Sequence, residues 1–283
     1  MEWKLIGRPG ATALEQFLSA EEPAAVVVSE RVRGGNLDRR LRNGGRCFHL
    51  HGVAAVYQGP GGFLAPIGLE RLAQLGNAAT LLHQLRRGLG TFVRCHSIMG
   101  RTRDVEILQD LVGGRPRHVI DYQLLSLRWA GYPPPGPPPT PGMTLTRPRP
   151  SAWKELMPLQ MAYEVEEVLL PGREPQAAQS RAALAASLEH QRVLIARLNG
   201  QIIARVATNA RGFQGDQIGG VYTDPGWRQR GVSRWLMTHL LADLRRDERH
   251  ASLFVKDDNR PARELYRSLG FSFVSPFRIS YYQ

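Results

Sequence analysis

Residues 219–233 read GGVYTDPGWRQRGVS. The run opens as an apolar strand, Ile218 to Tyr222, breaks at Asp224-Pro225-Gly226, and passes through a basic, glycine-containing turn into a helical segment. A strand that delivers the chain to a helix N-terminus lines up backbone N–H groups at the positive end of the helix dipole, which is a site for a phosphate. Gly231 lets the backbone approach an anion because no β-carbon intrudes. Amides of Gln229, Arg230, Gly231, Val232 and Ser233 would point into one concavity, and Arg228 and Arg230 can add charge-assisted contacts to a pyrophosphate.

Working outward, the helix after this turn carries Leu236, Leu240 and Leu244 on one face. A buried strand is expected at Leu253-Phe254-Val255, then a helix over 260–269 closed by Gly270, then strand over 271–282. Upstream, a strand is expected over 143–146 and a helix from a Ser151 cap to Leu170, stopped by Pro171-Gly172. A second helix should cover 176–188. Strands over 193–198 and 202–207 should form a hairpin about Asn199-Gly200, with a third strand over 214–222.

Residues 132–142, YPPPGPPPTPG, hold seven prolines in eleven positions. That density excludes helix and central strand and favours a stiff polyproline II spacer. It divides the chain into an N-terminal α/β domain (1–131), a linker (132–142) and a C-terminal domain (143–283). In the first part the pattern predicts helices over 11–20, 69–75, 79–89 and 103–111. Strands are expected over 24–28, within 47–57, over 63–67, over 92–95 and over 118–129. His49 and His51 are two apart and could bring two metal ligands to one side of a strand, but no third ligand stands at a recognisable spacing, so no metal is expected. The glycine-rich runs 33–36 and 59–62 read as turns.

The net charge of +12 comes from 37 basic residues, of which only Lys4, Lys154 and Lys256 are lysine. The charge is dispersed, which favours any anionic partner and argues against nucleic acid as the principal one. There is no run of 18 apolar residues and no secretory-type leader, and Cys47 and Cys95 lack metal or redox spacing. A reduced, cytoplasmic setting without membrane attachment is the expectation.

The C-terminal order, β-α-α-β-β-β-α-β-α-β with the basic glycine turn after the fourth strand, resembles the GNAT superfamily of acyl-coenzyme-A-dependent N-acetyltransferases. Two stretches carry the resemblance: Val221-Tyr222-Thr223-Asp224-Pro225 with Arg228-Gln229-Arg230-Gly231-Val232-Ser233, and Asn259, Ala262, Leu265-Tyr266 and Leu269-Gly270-Phe271. Ser233 stands where the family has Gly or Ala. The resemblance implies a mixed α/β (α+β) sheet flanked by helices, with the N-terminal domain a possible degenerate copy.

It further implies an enzyme that moves acetyl from acetyl-CoA, as co-substrate, directly to a primary amine of a small molecule or protein. Val221, Tyr222 and Thr223 would pair with the pantetheine arm, and the Val221 N–H would steady the oxyanion. Tyr266, two helical turns after Asn259, would be the general acid, and Asn259 would contact the coenzyme. For the general base three carboxylates stand open, Glu164, Glu166 and Glu167, with Glu167 favoured. The competing reading is a catalytically weak acyl-CoA-binding sensor or scaffold. Neither the acceptor nor the oligomeric state is legible.

Overall fold

The computed structural model describes residues 1–6, 12–35, 37, 44–90 and 95–282. The N-terminal half runs β1 (Lys4–Ile6), α1 (Thr12–Glu21), α2 (Val26–Arg33), β2 (Arg46–Leu50), β3 (Ala54–Gln58) and β4 (Phe63–Ile67). It continues with α3 (Ala78–Leu89), β5 (Ser97–Arg101), α4 (Thr102–Val112) and β6 (His118–Leu127). The C-terminal half repeats that order with β7 (Thr144–Thr146), α5 (Trp153–Tyr163), α6 (Ala177–His190), β8 (Val193–Leu198), β9 (Gln201–Arg211) and β10 (Gly215–Thr223). It ends with α7 (Val232–Arg246), β11 (His250–Lys256), α8 (Arg260–Ser268) and β12 (Ser272–Tyr281). The β-α-α-β-β-β-α-β-α-β order therefore occurs twice.

The strands form one mixed twelve-stranded sheet in the order β1-β2-β3-β4-β5-β12-β6-β11-β10-β9-β8-β7. Each half lends its last strand to the other. β12 inserts beside β5, with Ser97 opposite Tyr281 and Arg101 opposite Phe277, and β6 lies beside β11, with Ala251 opposite Leu127 and Val255 opposite Gln123. The step from Ser97 to Ala251 equals the step from Leu127 to Tyr281, so the two exchanged pairings are equivalent by an internal twofold. β6 and β12 pair with each other at the centre.

Helices cover both faces. Leu236, Leu240 and Leu244 of α7 are fully buried against Leu125, Leu127, Leu253 and Val255, while α5 and α6 pack Leu156, Leu184 and Leu188 on the opposite face. The N-terminal half reaches onto the C-terminal one. Glu22 accepts the backbone N–H groups of Phe213 (2.8 Å), Gln214 (3.0 Å) and Gly215 (2.7 Å), and Glu30 accepts that of Arg211 (2.9 Å). Charge-assisted bonds of this kind contribute about 1.5–3 kcal/mol each. The proline-rich segment lies along α7: Tyr132 is buried and donates to the Arg249 carbonyl, and the Trp235 indole donates to the Gly136 carbonyl at 3.1 Å.

Several expectations are corrected. Residues 24–28 are not a strand; they lead into α2, whose Val26, Val28, Ser29 and Val32 are buried at helical spacing, so tertiary packing overrides the β-branched run. The helix from Ser151 begins instead at Trp153, with no side-chain cap, and ends at Tyr163, after which residues Glu164–Val168 form a π-helical turn. The strand expected over 92–95 lies outside the described residues except for Cys95, and the strand present next to it is β5. The helix over 69–75 is a 3-10 segment, Leu69–Gln74. Residues Ala11 and Asn36 of two further expectations also lie outside the described residues. No helix among the described residues is long and apolar enough to cross a membrane.

Candidate active site

The site begins as a gap in β10. Its parallel ladder to β11 ends at Gln217 opposite Ser252, and its antiparallel ladder to β9 is interrupted between Gly219 and Tyr222. Gly220 sits at φ +59° in this bulge, a conformation open to glycine. Val221 thus stands in the break of both ladders, at the apex of a wedge between β10 and β11.

The chain then turns. Asp224 accepts the Gly226 N–H at 2.9 Å, and the Arg228 Nε donates to the Thr223 carbonyl at 3.0 Å. Gln229 takes φ +60°, an uncommon place for a side-chain-bearing residue, and Gly231 caps α7 at φ +77°. Val232 is buried and anchors the first turn of α7, while the Thr223 and Ser233 hydroxyls meet at 2.6 Å. Arg230 lies over the Trp227 ring at 4.8 Å. A β-carbon at Gly231 would stand 3.7 Å from Pro139, so the proline-rich segment borders this turn.

Across the wedge, Asn259 caps α8 by accepting the Ala262 N–H at 3.1 Å and donates its amide to Glu167 at 3.1 Å. α8 closes with the Phe271 N–H on the Tyr266 carbonyl and the Gly270 N–H on the Arg267 carbonyl, a Schellman pair. This fixes Tyr266, only 7% exposed, edge-on to Phe271. Burial, then Tyr163 and Glu167, push its hydroxyl well above the ordinary tyrosine range. It stays protonated, with no hydrogen-bond partner among the described residues.

The π-helical turn separates the three glutamates by environment. Glu164 is buried and held by Gln160 (2.6 Å) and the Ser180 hydroxyl, while buried Arg205 donates to the same Gln160. Glu166 faces Arg228 at 2.6 Å and the Tyr222 hydroxyl at 3.3 Å, and the Arg228 bond holds its carboxyl below the usual range. Glu167 sits between Asn259 and the Lys256 ammonium, 3.4 Å away. Sequence reasoning left these acids open because their sorting depends on one extra residue in a helical turn. The Gly219-Gly220 pair inside a strand was a readable signal for the bulge.

The N-terminal half fills its own equivalent position. Phe63 lies opposite Ser97 as Asp216 lies opposite Ala251, so Gly68 takes the place of Val221. There the buried carboxylate of Asp104 accepts the N–H groups of Gly68 and Glu70, both at 2.9 Å, and nearby Glu21 is bound by Arg71 and Arg101. The His49 and His51 rings stand 5.9 Å apart, and among the described residues no group of three His, Cys, Asp or Glu could hold a metal.

Residues 153–271 match the Acetyltransferase (GNAT) family. No curated protein matches the chain. Among solved structures, the chain is similar over 98% of its length to a GCN5-related N-acetyltransferase from Sphaerobacter thermophilus (17% identity, 94% of that chain, TM-score 0.57). It is similar over 99% to a tandem GNAT protein from the clavulanic acid biosynthesis pathway (13% identity, 98% of that chain, TM-score 0.59). A Drosophila protein is similar over 95% (14% identity, 86% of that chain, TM-score 0.60). At these identities the likeness is one of fold, and it extends over both halves.

Proposed function

We propose that this chain, whose C-terminal half is of the GNAT acetyltransferase family, transfers acetyl from acetyl-CoA directly to a primary amine. The observation that carries the reading is the wedge at Val221, with an unladdered main chain at its apex and a glycine-capped helix N-terminus beyond it. In this reading the amides of Gln229 through Ser233 receive the pyrophosphate, aided by Arg230 and by Arg228 once it turns from Glu166. Val221, Tyr222 and Thr223 border the pantetheine arm, and Asn259 holds the far side.

Glu167 takes the proton of the arriving ammonium, directly or through one water. The amine nitrogen then bonds to the thioester carbonyl carbon, and the Val221 N–H steadies the oxyanion. Collapse breaks the carbon–sulfur bond, Tyr266 gives its proton to the departing thiolate, and the excess proton on the nitrogen leaves as the amide forms, which restores the Tyr266 hydroxyl. The N-terminal half (1–131), joined through 132–142 to the catalytic half (143–283), is proposed as a GNAT-like unit whose own amides are taken by Asp104. A cytoplasmic setting, where acetyl-CoA is supplied, belongs to the same proposal.

The test has two arms. Thermal stability is measured with acetyl-CoA, CoA and duplex DNA; acetyl-CoA should raise the midpoint and DNA should not, and a shift by DNA alone would sink the reading. Thiol release is then followed over an amine panel. Binding without release from any amine would leave a coenzyme-A sensor or scaffold in its place.

A further inference from the structure

Because the last strands are exchanged, the face of the C-terminal sheet beside Glu167 is built in part by the N-terminal half. On β6, Tyr122 lies opposite Lys256 of β11 on one side and opposite Phe277 of β12 on the other. Directly opposed residues share a face of the sheet, so Tyr122 stands beside the lysine whose ammonium is 3.4 Å from Glu167. Leu125 and Leu127 of the same strand point the other way, into the core under α7.

The Tyr122 ring meets Phe254 edge-on at 5.6 Å, and Phe254 stacks on Phe277 at 4.7 Å. Burial first, then Tyr281, Glu167, Tyr163 and Asp258, pushes the Tyr122 hydroxyl well above the ordinary tyrosine range, and it has no hydrogen-bond partner among the described residues. Its ring is held in this aromatic row, but its hydroxyl is left unused on the face that carries Lys256.

We infer that Tyr122 is a specificity-determining wall of the acceptor site, contributed by the N-terminal half, and that the acceptor is a primary amine on an apolar stem. This rests on the acetyl-transfer reading. The ammonium is drawn to Glu167 and to the π-face of Tyr122, which attracts cations. The stem lies along Tyr122 and Phe254, where apolar surface is removed from water. The coenzyme site belongs to the C-terminal half, whereas this wall comes from the other half.

The experiment measures thiol release by the full chain with acetyl-CoA and four amines: tyramine, phenethylamine, glycinamide and kanamycin. The parent should use the two arylalkylamines with kcat/KM about tenfold or more above glycinamide, as a buried apolar stem implies. Tyr122→Ala should raise the KM of the best amine about tenfold while the KM for acetyl-CoA stays unchanged, as loss of a cation–π and apolar wall predicts. Tyr122→Leu guards against misfolding: it keeps apolar bulk in the strand and should still raise the amine KM, whereas Tyr122→Phe should stay near the parent.

An amine KM unchanged in both the Ala and the Leu variants overturns the wall. Preference for kanamycin over the arylalkylamines overturns the apolar stem. A parent that releases no thiol from any amine overturns the acetyl-transfer reading itself, and that failure is visible before any variant is made.

Discussion

The carboxylate of Asp104 accepts the backbone N–H of Gly68 at 2.9 Å, at the place where the other half leaves Val221 without a ladder partner. One half has closed its wedge with its own acid and the other has kept it open. Titration calorimetry should therefore find one coenzyme A bound per chain. Asp104→Ala strips the acceptor from two amides at a buried site and should cost about 3 kcal/mol of stability in urea denaturation. Two coenzymes bound per chain would show that Asp104 yields its place.

Tyr266→Phe should lower kcat about a hundredfold, the usual contribution of a positioned proton donor, with acetyl-CoA binding unchanged. The folded-state pKa of Tyr266 is raised, so its contribution to stability is complete below the ordinary tyrosine value of about 10 and drains as pH climbs above it. The parent's kcat should consequently show no loss from this group up to about pH 10. Thiol release by the variant at the parental rate on a good acceptor would remove Tyr266 from the chemistry.

Arg228 and Glu166 form a half-exposed pair. The Glu166 pKa is depressed, so the pair stabilises above the ordinary carboxylate value of about 4.3 and that gain disappears as pH falls below it. Exposed pairs contribute little, about 0.2–1 kcal/mol, so Glu166→Gln should lower the melting temperature slightly at pH 7 and not at pH 3. The same variant frees Arg228 and should tighten coenzyme A binding a few-fold, roughly the scale of one surface ion pair. Arg228→Ala should weaken it about tenfold, and less so in high salt.

Asn259 serves two neighbours, capping α8 and orienting Glu167. Asn259→Ala should cost about 1 kcal/mol for the lost cap and lower kcat as well. Asn259→Asp can keep the cap but turns a negative oxygen toward Glu167. It should preserve the melting temperature while depressing kcat, which separates the two duties. Glu167→Gln should lower kcat/KM about a hundredfold with acetyl-CoA affinity intact.

The C-terminal half was legible because its signals are local. The Asn199-Gly200 turn, the Leu236-Leu240-Leu244 stripe and the Gly270 closure each depend on a few neighbouring residues, and each stands where the pattern placed it. What escaped depends on distant parts of the chain. Residues 24–28 read as strand until packing against the sheet makes 26–33 a helix, and Ser97–Arg101 carries too short an apolar run to declare itself. Tyr122 lies in a strand with no motif, and only the pairing of β6 with β11 brings it beside Lys256. The sorting of Glu164, Glu166 and Glu167 hangs on a π-helical turn with no sequence signature.

The exchange of β6 and β12 also sets a timetable. As the chain leaves the ribosome, β5 has one edge without its native neighbour until residues 272–281 have been made, and an unpaired edge invites association with other chains. The earlier half cannot mature before the later one. The chain cannot be cut into two independent halves, because each would emerge missing a strand that the other encodes.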